Sequence, residues 1–296
     1  MKSVLLICHI SKQGHDQAVK RAKELESKKP FYVGFICEIR LIHPGMGLRS
    51  MHKQFQPEGI GRDAFVALGL QEGFRLRSIK SPMKTTWSVK NNRYANLLGA
   101  KWFTAVNQLW VSDIFYFPLN GRHYYVVLIM DAYSRRIIGY SVADNLRREN
   151  NLNALSMAIQ LRGIKNFKEQ LIHHSDRGSQ YISDDYTSTL EEHGIRISMC
   201  TNVLENAHME RANGTIKNDY LARWNIQFPN QLTKFLRKAV NGYNNRWHTA
   251  HDRMSPIEFE IYVNELEVKD KPVLKVFTIH SQNSDNPNQL KLDFDL

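Results

Sequence analysis

The sequence predicts an α/β protein: a five-stranded mixed sheet flanked by helices, preceded by a small all-α unit. Three observations predict it. Residues 108–143 hold three consecutive β-rich runs separated by short turns. Two further short apolar runs then alternate with segments of helical spacing. The N-terminal part shows helical periodicity and Gly-containing turns with no strand-like alternation.

The elements follow in order. "DQAVKRAKELESK" places Ala18, Ala22 and Leu25 at helical spacing. A second helix, "VGFICEIRLI", stops at Pro44 and Gly45. "LRSMHKQF" and "GRDAFVALGLQEGF" read as further short helices, and together they suggest a helix-turn-helix-like unit. "QLWVSDIFYFPL" is the first strand, closed by the turn dipeptide Asn120-Gly121. "RHYYVVLIMDAYS" and "RRIIGYSVA" are the second and third strands. "RENNLNALSMAIQLRG" is helical, "EQLIHHSD" is strand four, "SDDYTSTLEEHG" a helix and "IRISMC" strand five. Helices over "ENAHMERANGTIKNDYLARW" and "NQLTKFLRKAVNGYNN" complete the core. The order β-β-β-α-β-α-β-α is that of an RNase H-like nuclease core. The division expected is a helical, helix-turn-helix-like DNA-binding region at 1–80, a basic linker at 81–104, the core with its C-terminal helices at 105–265, and a mostly disordered tail at 266–296.

Composition narrows the function. The chain has 296 residues and a formal charge of +11. Residues 1–100 carry 17 Lys and Arg against 7 Asp and Glu, so nearly all the excess lies there. A basic surface confined to one third of the chain points to nucleic acid. Cys8, Cys37 and Cys200 have neither disulfide-framework nor zinc-pair spacing, which predicts a reducing, cytosolic setting and no structural zinc. "SVLLICHI" is far shorter than the roughly 20 apolar residues of a membrane span, so a soluble protein without a membrane partner is expected.

The chemistry is carried by carboxylates. Asp113 lies inside the first strand and Asp176 ends the fourth, and in the expected strand order these two strands are central neighbours. Glu210 lies on the helix after strand five. Taken singly, an Asp at a strand end is a turn residue and a Glu on a helix a solvated face. Asp113 is different, because a charge among aromatics and aliphatics in mid-strand is costly unless it is coordinated. Three converging carboxylates suit two Mg²⁺ or Mn²⁺ ions, the arrangement for in-line displacement at phosphorus. Asn206, Glu210 and Asn213 share a helix face at i, i+4 and i+7, with Lys217 seven beyond Glu210. That face, with Arg177 after Asp176, is the expected contact with DNA phosphate. Gly178 permits close backbone approach. Of His173 and His174, which alternate faces, one is expected to pack inside and the other to line the site. Asp131 is an additional carboxylate expected to be structural.

"QLWVSDI", "LIMDAYSRRIIGYSV", "LIHHSDRGSQYIS" and "ENAHMERANGTIKNDYL" resemble the DDE transposases of the IS-three family of bacterial insertion sequences, of the OrfB type, with a core similar to that of retroviral integrases. "HPGMGLRSMHKQF" and "YNNRWHTAHDRMSPIEF" resemble that family's helical DNA-binding segment and closing motif. The resemblance implies that Asp113, Asp176 and Glu210 are catalytic metal ligands. It implies cleavage and joining of DNA at terminal inverted repeats, self-association on DNA, an upstream helix-turn-helix/leucine-zipper partner, and a place at the bacterial nucleoid. The chain departs from the family in two places. The 33 residues between Asp176 and Glu210 are two fewer than usual, and Trp247 stands where the closing motif commonly has Pro. The shortened loop leaves open a decayed copy that only binds DNA, and the core would also permit a nuclease on RNA–DNA hybrids. In the tail, Gln289, Leu290, Leu292 and Phe294 resemble a sliding-clamp docking peptide.

Overall fold

The predicted meander forms around Asn120 and Gly121, which both take positive φ (51° and 73°) and reverse the chain tightly. It joins β1 (Leu109–Leu119) to β2 (Arg122–Asp131), and β3 (Ile137–Ala143) follows. The computed structural model describes residues 11–77, 79, 93–99, 101–200 and 207–275. After the meander come α4 (Arg148–Arg162), β4 (Leu171–Ser175), α5 (Asp184–Glu192) and β5 (Ile195–Met199). The sheet order is β3-β2-β1-β4-β5, antiparallel through the meander and parallel across β1, β4 and β5. This is the RNase H-like sheet, with the two expected strands at its centre.

Strand alternation sorts the core into two layers. Val111, Phe115 and Phe117 of β1 point to one face, with Val126, Leu128 and Met130 of β2. There they meet Met209, Ala212 and Ile216 of the helical run that begins with α6 (Ala207–Gly214), and Leu236 and Ala239 of α7 (Leu232–Asn244). Trp110, Val127 and Ile129 point to the other face, against Ala154, Leu155 and Ala158 of α4. Gly139 of β3 lies against the backbone of Ala154, where no side chain would fit, so α4 packs directly on the strand. α6 continues through a wider, π-type turn at Thr215–Tyr220 and a 3-10 turn at Leu221–Arg223.

The N-terminal unit differs from its sequence reading in one respect. The two expected helices are a single helix, α1 (Lys12–Ile42), which runs through Pro30. Proline removes one hydrogen-bond donor there, yet strong helix formers carry the helix on either side. The part before Pro30 is exposed nearly throughout, whereas Tyr32, Ile36 and Ile39 are buried. Ile36 and Ile39 join Met46, Leu48, Met51 and Phe65 in a small core with α2 (Leu48–Phe55) and α3 (Arg62–Gln71). This unit docks on the side of the sheet that the helical run from α6 covers. His43 Nδ1 and the Tyr220 hydroxyl share a buried hydrogen bond of 2.9 Å, Gly45 lies against the backbone of Asp219, and Gln54 accepts from the Trp247 N–H at 3.3 Å.

The closing segment is tied back by buried ions. Glu260 of α8 (Pro256–Glu265) accepts from Arg162 at 2.6 and 2.9 Å, from Arg136 at 2.6 Å and from the Ser134 hydroxyl at 2.7 Å. Arg162 also reaches Asp131 at 3.2 Å. Burial works to raise the Glu260 pKa, but these donors hold it below its ordinary value. Short strands at Trp102–Phe103 and Leu274–Lys275 pair antiparallel, so the end of the expected linker meets the start of the expected tail. No described helix is long and apolar enough to cross a membrane.

Replacing Arg162 with Ala leaves Asp131 and Glu260 buried with fewer counter-charges. We expect a loss of about 3–5 kcal/mol in urea unfolding, and a loss below about 1 kcal/mol would refute the network's role in stability.

Candidate active site

Strand pairing brings the first two carboxylates together. β1 and β4 run parallel with Ser112 opposite Ser175, and the next residue on each strand line is an aspartate, Asp113 and Asp176. Alternation turns Asp113 toward the face covered by α6, the face shared by Val111 and Phe115. There the Asn213 side-chain amide donates to Asp113 Oδ2 at 2.8 Å, and the Ile114 N–H donates to Oδ1 at 2.9 Å. The Gly178 N–H donates to Asp176 Oδ1 at 3.1 Å. A Cβ at Gly178 would lie 2.8 Å from Gln180 Oε1 and 3.1 Å from Asp176 Oδ1, so a side chain at 178 would crowd that loop. Behind the pair, the hydroxyls of Ser112 and Tyr181 lie 2.8 Å apart.

Burial and mutual repulsion set the electrostatics of these carboxylates. Burial pushes the Asp113 pKa up to about 7, the charge of Asp176 adds to this, and Glu210 contributes further. The Ile114 N–H and the Asn213 amide oppose the rise. Asp176 is open to solvent at its tip, yet surrounding protein raises its pKa, with the Gly178 N–H pulling it down. Glu210 lies in the first turn of α6 and is exposed. A hard-oxygen donor set under mutual repulsion suits a divalent cation. Among the described residues, no three His, Cys, Asp or Glu side chains are already gathered as a metal-binding group. Asp113 and Asp176 are thus neighbours, and the charge of Glu210 is felt at Asp113.

Other expected site residues fall differently. Asn213 is buried, and its amide engages Asp113 instead of a DNA-facing surface. The turn of α6 that leaves Glu210 exposed carries Asn213, three residues on, inward. Its spacing from Glu210 signalled a shared face, but only the packing of α6 on β1 identifies Asp113 as its partner. His173 and His174 are both buried, so neither lines the site. His173 Nε2 meets the Tyr186 hydroxyl at 3.0 Å, and burial lowers its pKa to about 3. His174 lies 2.9 Å from Ser198 Oγ and 3.0 Å from the Cys200 thiol. Arg177 donates to the Cys200 carbonyl at 2.9 Å, bridging the ends of β4 and β5. Lys217 is half-buried, with its ammonium 6.0 Å from the centre of the Phe115 ring. Asp131 is fully buried and accepts from the N–H groups of Asn107, Tyr133 and Ser134 and from Arg162. Asn206, the shortened loop at 201–206 and the tail residues Gln289, Leu290, Leu292 and Phe294 lie outside the described residues.

The raised Asp113 pKa gives a pH signature. Its folded-state pKa of about 7 lies above the ordinary 3.8, so the protonated carboxyl stabilises the fold in acid, and this contribution is lost as pH rises toward about 7. In EDTA at pH 8, Asp113→Asn should melt about 3 °C above wild type, and the difference should vanish at pH 4. Equal melting at pH 8 would show that Asp113 is not under strain.

Residues 104–202 match the integrase core domain family, a stretch that holds Asp113 and Asp176 and ends before Glu210. The chain is 32% identical over 221 residues to the insertion element IS600 uncharacterized 31 kDa protein of Shigella sonnei, covering 72% of this chain and 80% of that protein. It is 31% identical to the transposase for insertion sequence element IS904 of Lactococcus lactis, covering 54% of this chain and 63% of that one. Against the putative transposase for IS986/IS6110 of Mycobacterium tuberculosis it is 38% identical, over 40% and 44% of the two chains. The HTLV-2 integrase catalytic core domain, solved in complex with magnesium, aligns at 19% identity and a TM-score of 0.43, over 53% of this chain and 97% of that one. A sheet that sets two aspartates side by side beneath a glutamate-bearing helix, in a chain with such relatives, is the core of a transposition protein, and the chain belongs to the insertion-sequence transposases with a DDE-class, integrase-like core.

Proposed function

We propose that the protein binds the terminal repeats of its element and catalyses metal-dependent strand cleavage and strand transfer. The observation that carries this reading is the Asp113–Asp176 pair on adjacent central strands, with the charge of Glu210 on α6 felt at Asp113. Asp113, Asp176 and Glu210 would hold two Mg²⁺ or Mn²⁺ ions. When bound, such ions activate a water or a DNA 3′-hydroxyl and stabilise the leaving oxygen.

The chain's own residues prepare that site. Asn213 and the Ile114 N–H fix the rotamer of Asp113, and the Gly178 N–H fixes that of Asp176. Side chains that orient ligands in this way matter nearly as much as the ligands. Lys217, which has no hydrogen-bond or ion-pair partner among the described residues, is placed to meet DNA phosphate. The basic N-terminal unit supplies the grip on the element's ends, with self-association joining two ends and an upstream helix-turn-helix/leucine-zipper protein adding specificity.

A second reading is a decayed copy that binds DNA without turnover. The exposure of Glu210 and the 33-residue spacing favour it. A strand-transfer assay on the element's ends, with the upstream partner supplied, separates the two. Wild type should give joined product in Mg²⁺ and none in EDTA, and Glu210→Gln should give none in either. Asn213→Ala should lower the rate about 10- to 100-fold and raise the Mg²⁺ needed. Binding to the ends without cleavage or joining by wild type would establish the decayed copy.

A further inference from the structure

Helix α7 presents a face of cations with no anion beside it. Between Asp219 and Asp252 the chain carries Arg223, Lys234, Arg237, Lys238 and Arg246, and no Asp or Glu. Arg246 is paired with Asp219 at 3.3 Å, and Arg223 donates to the Arg77 carbonyl at 3.2 Å. Lys234, Arg237 and Lys238 are exposed on α7, and none has a hydrogen-bond or carboxylate partner among the described residues. Their spacing of three and four residues puts them on one face of the helix. The opposite face, with Leu236, Ala239, Val240 and Tyr243, is buried in the core layer that also holds the run from α6.

This distribution costs the isolated protein stability. Lys234 and Lys238 are like charges at i and i+4, which repel across one turn. Lys234 also lies in the first turn of α7, where the helix macrodipole disfavours a cation. Exposed helix faces offset such charges with interspersed acids, and α7 has none. The face is also held in place. Lys238 Nζ lies 5.1 Å from the centre of the Trp224 ring, and that ring packs at 5.3 Å on Phe235 and 5.7 Å on Tyr220. A Cβ at Gly242 would come within 2.8 Å of the Tyr220 ring, so α7 and the run from α6 lie directly against each other. A row of ordered cations with no anion among them is complementary to a phosphate backbone.

We propose that Lys234, Arg237 and Lys238 form a duplex-binding surface that grips the phosphate backbone of DNA away from the reacting bond. Tyr220, against which α7 packs, follows Glu210 by 10 residues on the same run, about 15 Å along a helix. The Arg223 contact with Arg77 joins this surface to the basic N-terminal region. Phosphate contacts carry no base information, so the surface would hold flanking or target DNA of any sequence. The inference rests on the reading that this chain acts on DNA, but not on its being an active enzyme.

Salt-dependent binding tests this. A labelled duplex of random sequence is titrated in EDTA, where no strand is cut, at several salt concentrations. The proteins are wild type, a triple variant (Lys234→Gln, Arg237→Gln and Lys238→Gln) and Lys165→Gln, a control at an exposed lysine beyond α4 on the other layer of the core. The three positions are exposed and their charges repel, so the triple variant should melt at or above wild type. It should bind more weakly at low salt, with the slope of log K against log salt shallower by about 2–3, at about 0.9 for each lost contact. Lys165→Gln should leave the slope unchanged. An unchanged slope in the folded triple variant would overturn the surface, as would an equal shift per charge in Lys165→Gln, which marks a net-charge effect. If the triple variant does not fold, Arg237→Gln alone decides, with an expected shift of about 0.9. A loss confined to the element's end sequence would also overturn it. So would weakened binding of a polyglutamate peptide with the duplex slope unchanged, which would assign the face to an acidic protein. Wild type that binds no duplex would sink this surface and the transposase reading together, whereas binding without joining sinks only the catalytic one.

Discussion

The parallel pairing of β1 with β4 is the constraint on which the site depends. With Ser112 opposite Ser175, the two strands deliver Asp113 and Asp176 to one edge of the α6-covered face. Burial and mutual repulsion then push the Asp113 pKa up to about 7. Hydrogen bonds from Ile114, Asn213 and Gly178 soften this repulsion without removing it. The arrangement stores an electrostatic deficit that a cation relieves, a common feature of sites for phosphoryl chemistry.

The helical run from α6 connects the parts. Its inward residues, Met209, Ala212, Ile216 and Tyr220, belong to the core beneath the sheet. Asn213 reaches Asp113, while Glu210 and Arg211 stay at the open side. Tyr220, near the far end, bonds to His43 of the N-terminal unit. One continuous run therefore carries Glu210, bonds to Asp113 through Asn213 and contacts the N-terminal helical unit. The wider turn at Thr215–Tyr220 lies between these roles, a helix irregularity frequent at functional sites.

Asp131 shows why environment separates two similar carboxylates. Both aspartates lie on central strands. Asp131 has three backbone donors and Arg162 around it, which oppose the rise that burial gives its pKa. Asp113 has two donors and two neighbouring carboxylates. The first is a structural ion that ties β2 to α4 and, through Arg162, to α8. The second has two carboxylates as neighbours, and both add to the rise that burial gives its pKa.

The sequence by itself determined the sheet, its strand order, the turn at Asn120-Gly121 and the neighbouring places of Asp113 and Asp176. These are local signals: two-residue alternation, 3.6-residue spacing, turn dipeptides and short motifs, each readable within about a dozen residues. Tertiary structure decided the rest. It made α1 continuous through Pro30 and buried both His173 and His174. It turned Asn213 inward to Asp113 and paired Arg136 with Glu260, 124 residues away in the chain. Each of these depends on which side chain from a distant segment arrives at a given face, and no periodicity in a single stretch of chain encodes that.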